Sequence, residues 1–380
     1  MVRPERRPGA PAGRPPPPPR PPNALVHPFG AMEYQRVTLT RGARITGAVL
    51  CAVLALMTAA WIVRDIRAAD GHMDLWEYLG GPDPRSGEPA TTAQGSRVLL
   101  AAYVLAAVAA LRSSAASSVL IVTGVVTLAL KLPGLWAIDD AYPLELQDRA
   151  RLSLVVAGIA AIALVVAGIA GRRPAPEGEP SGRPGRGAGV AAFLLLGTLA
   201  VVSTAWEIRQ SFVAPPGLYP AWYTGGAPVH FPMTEAPPGW ITVVVILMSL
   251  VAAFGAVARA AFARVLGLVA GGFSLLSGVL STSFAARHDL YEQFADLRLE
   301  SQLSLLTSVF LIIAGAAVIA LLARPGTERA PGSTAGPWGG PNSWGGGWGA
   351  PVPGQPGPQG HQQPQAPGFG PPPSSPPPRW

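Results

Sequence analysis

Two stretches decide the fold, ARITGAVLCAVLALMTAAWIVR at residues 43–64 and GVAAFLLLGTLAVVSTAWEIR at residues 189–209. Each is a long apolar run closed by Ala-Trp-x-x-Arg, with Trp61 and Arg64 in the first and Trp206 and Arg209 in the second. Crossing a ~30 Å hydrocarbon core takes roughly 20 mostly apolar residues in a helix, so both read as membrane spans. Further marks follow both runs in the same order. Trp76 precedes Gly80-Gly81 as Trp222 precedes Gly225-Gly226, Arg112 is answered by Arg259, and Asp140-x-Tyr142 by Asp289-x-Tyr291. The separation drifts only from 145 to 149 residues. The expectation is a duplicated four-helix membrane unit.

Working outward, clear spans are expected at 43–63, 116–137, 152–170, 189–206, 240–258 and 303–323, with a Gly- and Ser-rich seventh at 263–284. The eighth, 93–112, is strictly apolar only from Val98 to Leu111. The repeat makes it a span, because its counterpart at 240–258 is one. Each unit has an even number of spans, so the repeats should be parallel rather than inverted. The fold class is therefore all-α polytopic, with eight transmembrane helices in two parallel four-helix repeats. The organisation reads as a disordered Pro/Arg-rich arm (1–40), a first repeat (41–171), a basic linker (172–188), a second repeat (189–323) and a disordered Pro/Gly/Trp-rich tail (324–380). The first run is not read as a signal peptide, because its twin lies mid-chain.

Charge sets the expected orientation. The two tails and the turns at 112, 171–188 and 259–264 carry 18 Lys or Arg against 5 Asp or Glu; the opposite face carries 10 against 16. By the positive-inside rule both termini lie in the cytoplasm of a plasma-membrane protein. The net charge of +7 thus follows the leaflet, which removes a nucleic-acid reading. Trp61, Trp136, Trp206 and Trp240 at outer helix ends fit an aromatic belt.

Chemistry-bearing residues are sparse. Cys51, the single cysteine, reads as a small packing residue. Lys131 is the one ionisable residue placed inside a span, two positions before Pro133, which should end or kink that helix. It reads as a snorkelling lysine unless a carboxylate such as Asp139 or Asp140 pairs with it. Asp140, Tyr142, Asp289 and Tyr291 are expected to cap the following helices, or else to form two halves of an outer ligand site. The loop 285–302 is expected to be helical from Leu290 to Ser301. Gly158, Ala161, Gly168, Gly267, Gly271 and Gly272 should allow close helix contact. His72, His230 and His288 lack local metal-ligand spacing and read as surface histidines. No catalytic motif or cofactor is implied.

A four-helix unit whose first outer loop carries Trp76 and Gly80-Gly81 resembles the claudin and tetraspan topology. The loop cysteine pair of those families is absent, and neither fold detail nor function follows from the likeness. The functional expectation is a non-enzymatic scaffold or interaction protein in the lipid bilayer. Its outer loops (Trp76, Trp222, Asp140, Tyr142, Asp289, Tyr291, with Lys131 beneath) would form the recognition face, and its Pro-rich tails could recruit protein partners. The alternative is a transporter or channel for a small neutral or apolar solute along the seam between repeats.

Overall fold

The computed structural model describes residues 37–68, 91–137, 143–174, 185–226, 229 and 231–324. Within them run β1 (Val37–Leu39), α1 (Arg41–Ala68), α2 (Gln94–Arg112), α3 (Ala116–Lys131), α4 (Leu144–Ala170), β2 (Arg172–Pro174), α5 (Arg186–Val213), the short α6 (Leu218–Thr224), α7 (Pro238–Val257), α8 (Ala261–Arg287) and α9 (Leu299–Ala323). Eight of the nine α-helices described are long and apolar enough to cross a membrane, α6 being the exception. The chain is a multi-pass helical membrane protein. The short second span is present as α2, with the lowest mean hydropathy of the eight, 1.6.

Several helices outrun the apolar sequence that announces them. α1 continues to Ala68, α5 to Val213, and α4 starts eight residues before its apolar run, at Leu144. Backbone hydrogen bonds are satisfied within the helix whatever surrounds it, so propagation does not stop where lipid gives way to headgroups. α3 behaves oppositely. It ends at Lys131 and tightens into a 3-10 turn, Leu132–Leu135, because Pro133 supplies no N–H.

The two sets of four helices share one neighbour pattern. α1 packs on α2 and α4, and α3 on the same two; α5 packs on α7 and α9, and α8 on the same two. Even one polar contact recurs. The Trp61 indole N–H donates to Ser153 Oγ at 3.1 Å, and that of Trp206 to Thr307 Oγ1 at 3.2 Å. The sets meet where α2 and α3 pack on α8 and α3 on α7. There Trp240 donates to the Ala129 carbonyl at 2.7 Å, Ser277 to Gln94 Oε1 at 3.1 Å, and a single apolar core runs through both sets.

Buried faces are made of small residues and lipid-facing ones of large residues, as expected where apolar lipid removes any hydrophobic drive between helices. Ala110, Ala161, Ala192, Ala252 and Ala270 are fully buried, while Leu56, Ile159, Leu194 and Ile313 are more than 60% exposed. Close approaches lie between α3 and α4, and between α8 and α9. A methyl on Gly124 would meet the Ala161 carbonyl, one on Gly168 Ile121, and one on Gly278 the Ser308 carbonyl at 2.7 Å. Gly158 does not share that role, since nothing lies within 4 Å of where its Cβ would be, and Gly272 has only ordinary contact, Val98 at 3.7 Å. Gly158→Ala is therefore expected to be neutral or to stabilise by up to ~1 kcal/mol through helix propensity, and Gly168→Ala to cost about 1–3 kcal/mol through overpacking. Thermal unfolding of the two variants in detergent checks this ordering.

At one end of the bundle the strands β1 and β2 pair antiparallel, Thr38 opposite Arg173. Residues 37–40, which the sequence assigns to a disordered arm, are thus tied to the start of the linker. Arginines at this end cover helix C-termini: Arg264 donates to the Leu322 and Ala323 carbonyls at 2.6 and 2.7 Å, and Arg44 to that of Leu111 at 3.4 Å. Those carbonyls have no partner within their own helix, so a guanidinium beside them is favourable. The inner-turn arginines matched by sequence differ in conformation: Arg112 closes α2, whereas Arg259 sits in the α7–α8 turn at φ 55°.

Candidate functional site

The opposite, loop-rich end holds the densest buried polar cluster among the described residues, and it begins with a loop. After α6 the chain reverses at Gly225 and Gly226, whose φ values of 78° and 122° suit glycine. It then lays Val229, Phe231 and Met233 into apolar sites. Phe231 and Val229 pack with Ala137, Ala221 and Trp222, and Met233 packs with Ala150, Leu146 and Trp61. This loop, which belongs to the second set of helices and joins α6 to α7, therefore lies over the mouth of the first set. Its next residues, Thr234 and Glu235, are 5% and 3% exposed.

Glu235 sits at the N-terminus of α2. Its Oε1 accepts the Ser96 N–H at 2.7 Å, the Ala93 N–H at 3.3 Å and the Ser96 hydroxyl. These N–H groups have no partner within their helix, and the helix dipole is positive there, so a carboxylate fits. Glycine at position 95 leaves room for this carboxylate, since a Cβ there would meet Glu235 Oε2 and push it aside. Lys131, at the end of α3, reaches the same place. Its Nζ donates to the Thr234 carbonyl at 2.6 Å and to Ser96 Oγ at 3.2 Å, and lies 3.9 Å from Glu235 Oε1. Two ammonium protons are thus hydrogen-bonded, and the Glu235 carboxylate stands within ion-pair range. The side chain is 9% exposed, which corrects the snorkelling reading: Lys131 points into protein, and its carboxylate partner is Glu235.

A second carboxylate holds the same segment from the other side. Asp65, in the last turn of α1, accepts from Thr91 N–H and Oγ1 at 3.1 and 2.6 Å and from Thr92 N–H and Oγ1 at 2.8 and 2.6 Å. Arg64 Nη1 lies 3.1 Å from it. Thr234 completes the clamp by donating its N–H and hydroxyl to the Thr91 carbonyl at 3.0 and 2.6 Å. Residues 91–96 are therefore gripped by α1, by α3 and by the loop before α7. Beneath them a void of about 20 Å³, lined by Thr58, Trp61, Ser96, Lys131 and Ser153, is large enough for one water.

Among the remaining sequence candidates, Trp222 belongs to the loop core, with its indole N–H buried and without a partner among the described residues. A Cβ on Gly239 would strike its ring. Asp289 is exposed at φ 53° and does not cap the next helix; the N-cap of α9 is Arg298, with no side-chain cap bond. The segment expected to be helical from Leu290 is instead a series of turns with a 3-10 turn at Phe294–Asp296, and α9 begins at Leu299. Tyr291 buries its hydroxyl without a partner among the described residues. Trp76, Asp140, Tyr142, His72 and His230 lie outside the described residues. Among those described, no three His, Cys, Asp or Glu side chains are grouped to hold a metal ion.

Sequence reasoning missed Asp65, Thr91, Thr92, Ser96, Thr234 and Glu235, although two signals were available. Lys131 is the only lysine of a chain with 28 basic residues, and Glu235 is the only charged residue between Arg209 and Arg259. Neither isolated charge has a partner nearby in sequence, which is the pattern two residues leave when they pair across the fold.

Next to the clamp, the Tyr223 hydroxyl donates to Glu207 Oε2 at 2.6 Å and lies 3.2 Å from the Tyr219 hydroxyl. Burial first, then those hydrogen bonds, raise the Tyr223 phenol above the ordinary phenol range. A raised value means that the fold favours the neutral form. The contribution is full below the free phenol value of about 10 and fades above it. Tyr223→Phe is expected to lower the melting temperature at pH 8, with the gap to the parent narrowing above about pH 10; a constant gap would dissociate the hydroxyl from this linkage.

No protein-family model, no curated protein and no solved structure matches the chain.

Proposed function

We propose that the chain is a non-enzymatic plasma-membrane protein built from two parallel four-helix repeats, whose loop-rich end faces out of the cell as a recognition surface. The shared neighbour pattern and the paired Trp–hydroxyl bonds support the duplication. The orientation rests on the excess of arginine at the β1–β2 end. The observation that carries the recognition reading is the clamp. A loop that only connected two helices would have no need of a buried lysine, two buried carboxylates and three apolar anchors, whereas a surface that must keep one shape would.

A transporter of small neutral solutes would use the seam between repeats as its path. The recognition reading is preferred because the seam carries continuous apolar core and the Trp240–Ala129 and Ser277–Gln94 bonds. A photo-crosslinking residue at Phe212, 83% exposed in the last turn of α5, tests this against one at the lipid-facing Leu56. In native membranes a discrete protein adduct is expected from Phe212, lost in Lys131→Met, and none from Leu56. Equal capture at both positions, or solute flux in reconstituted vesicles without any Phe212 adduct, would overturn the reading.

A further inference from the structure

The corner beside Trp61 in the first set of helices is nearly filled, leaving only the water-sized void. The matching corner in the second set is open. Between α5, α8 and α9, next to Trp206, lies a cavity of about 550 Å³, within the roughly 300–1,000 Å³ range of small-molecule sites.

Its lining is divided by chemistry. Leu280, Phe284, Leu290, Leu297 and Leu305 supply apolar wall, and Ser281, Ser301 and Ser304 supply hydroxyls. Ser301 and Ser304 are three residues apart on α9 and so share a face. Elsewhere in the spans, Thr58, Thr204, Ser274 and Thr307 satisfy their hydroxyls on the carbonyl four residues earlier, as does Ser308 in the cavity lining. Of the four serines in the lining, Ser281, Ser301 and Ser304 make no side-chain hydrogen bond among the described residues. All three are exposed to this open cavity rather than buried, so their hydroxyls are free to bond an occupant there. Charge narrows its chemistry. The only ionisable residue in the lining is Glu300, and it is paired with Arg209. An anionic head would meet a carboxylate there, and a cationic one would have to displace the guanidinium.

We propose that this cavity binds one lipid-like amphiphile, its chain against the leucines and Phe284 and its uncharged, hydrogen-bonding head on Ser281, Ser301 and Ser304. The cavity shares no lining residue with the clamp that carries the recognition reading, and either proposal can fail without the other.

The test uses the full chain in phosphatidylcholine nanodiscs and a monoacylglycerol bearing a diazirine in its acyl chain. Saturable photolabelling is expected in peptides spanning residues 280–308, competed about ten-fold better by plain monoacylglycerol than by the fatty acid of equal chain length. Ser301→Ala with Ser304→Ala keeps the volume and removes two partners, so labelling should fall about ten-fold at sub-saturating probe, with thermal stability unchanged. Ser304→Trp, which fills the space, should abolish it. Labelling that does not saturate and spreads over lipid-facing positions such as Ile159 would overturn the proposal. So would indifference to the double alanine variant, or equal competition by the fatty acid. Crosslinking from Phe212 should be unaffected throughout.

Discussion

Lys131→Met lowers stability by about 3–5 kcal/mol, the expected cost of leaving one member of a buried ion pair without the other. The methionine fills a similar volume, so packing changes little, but Glu235 keeps its charge at a site where it is 3% exposed. Glu235→Gln should cost a comparable amount by stranding the ammonium between the Thr234 carbonyl and Ser96. The double variant Lys131→Met with Glu235→Gln is the decisive measurement. It should recover most of the loss, because two neutral groups leave no charge to strand, while the introduced carboxamide oxygen can still accept from the α2 N-terminus. Losses that simply add would mean that the two residues do not act as a pair. A second readout is available because the chain has only one lysine. Its ε-amine should resist acylation in the folded protein and react at least ten-fold faster in Glu235→Gln, where the loop is held less firmly.

Asp65→Ala is the second large effect. Four donors from Thr91 and Thr92 converge on that carboxylate, and these residues are 0% and 2% exposed. An unsatisfied buried donor costs about 1–3 kcal/mol, so removing the shared acceptor should cost about 3 kcal/mol or more even after local rearrangement. Asp65→Asn keeps one acceptor oxygen and should lose roughly half as much. The change acts on both sets of helices, since Thr234 is bonded to the carbonyl of the same Thr91. Hydrogen exchange should therefore rise at residues 91–96 and also at 233–236. Protection lost only at 91–92 would show that the two grips on this segment are independent.

Much of the fold was legible in the sequence because the bilayer imposes a one-dimensional rule. A backbone in hydrocarbon must satisfy its own hydrogen bonds, so a span is a long apolar helix and can be recognised from composition alone. That is why α1, α5 and the weak α2 could be placed from residue type and spacing. Matching marks such as Trp61 and Trp206 also pointed to equivalent positions, each donating its indole N–H to a hydroxyl on the fourth helix of its own set. Where the same reasoning was applied outside the bilayer it lost force. The segment from Leu290 looked helical and is a set of turns, and Asp289 looked like a cap and is not one.

The clamp was not legible, because nothing local encodes it. Lys131 and Glu235 are 104 positions apart, Asp65 and Thr91 are 26 apart, and each residue taken alone has an ordinary explanation as a snorkelling lysine, a loop acid or a polar helix end. Composition and period marked out the eight helices that, among the described residues, are long and apolar enough to cross a membrane. Only the tertiary structure decided that the loop of one set closes the mouth of the other, and that the lone lysine is buried. Apolar burial in lipid depends on residue type alone, whereas a buried charge is tolerable only where folding brings its partners within hydrogen-bonding distance.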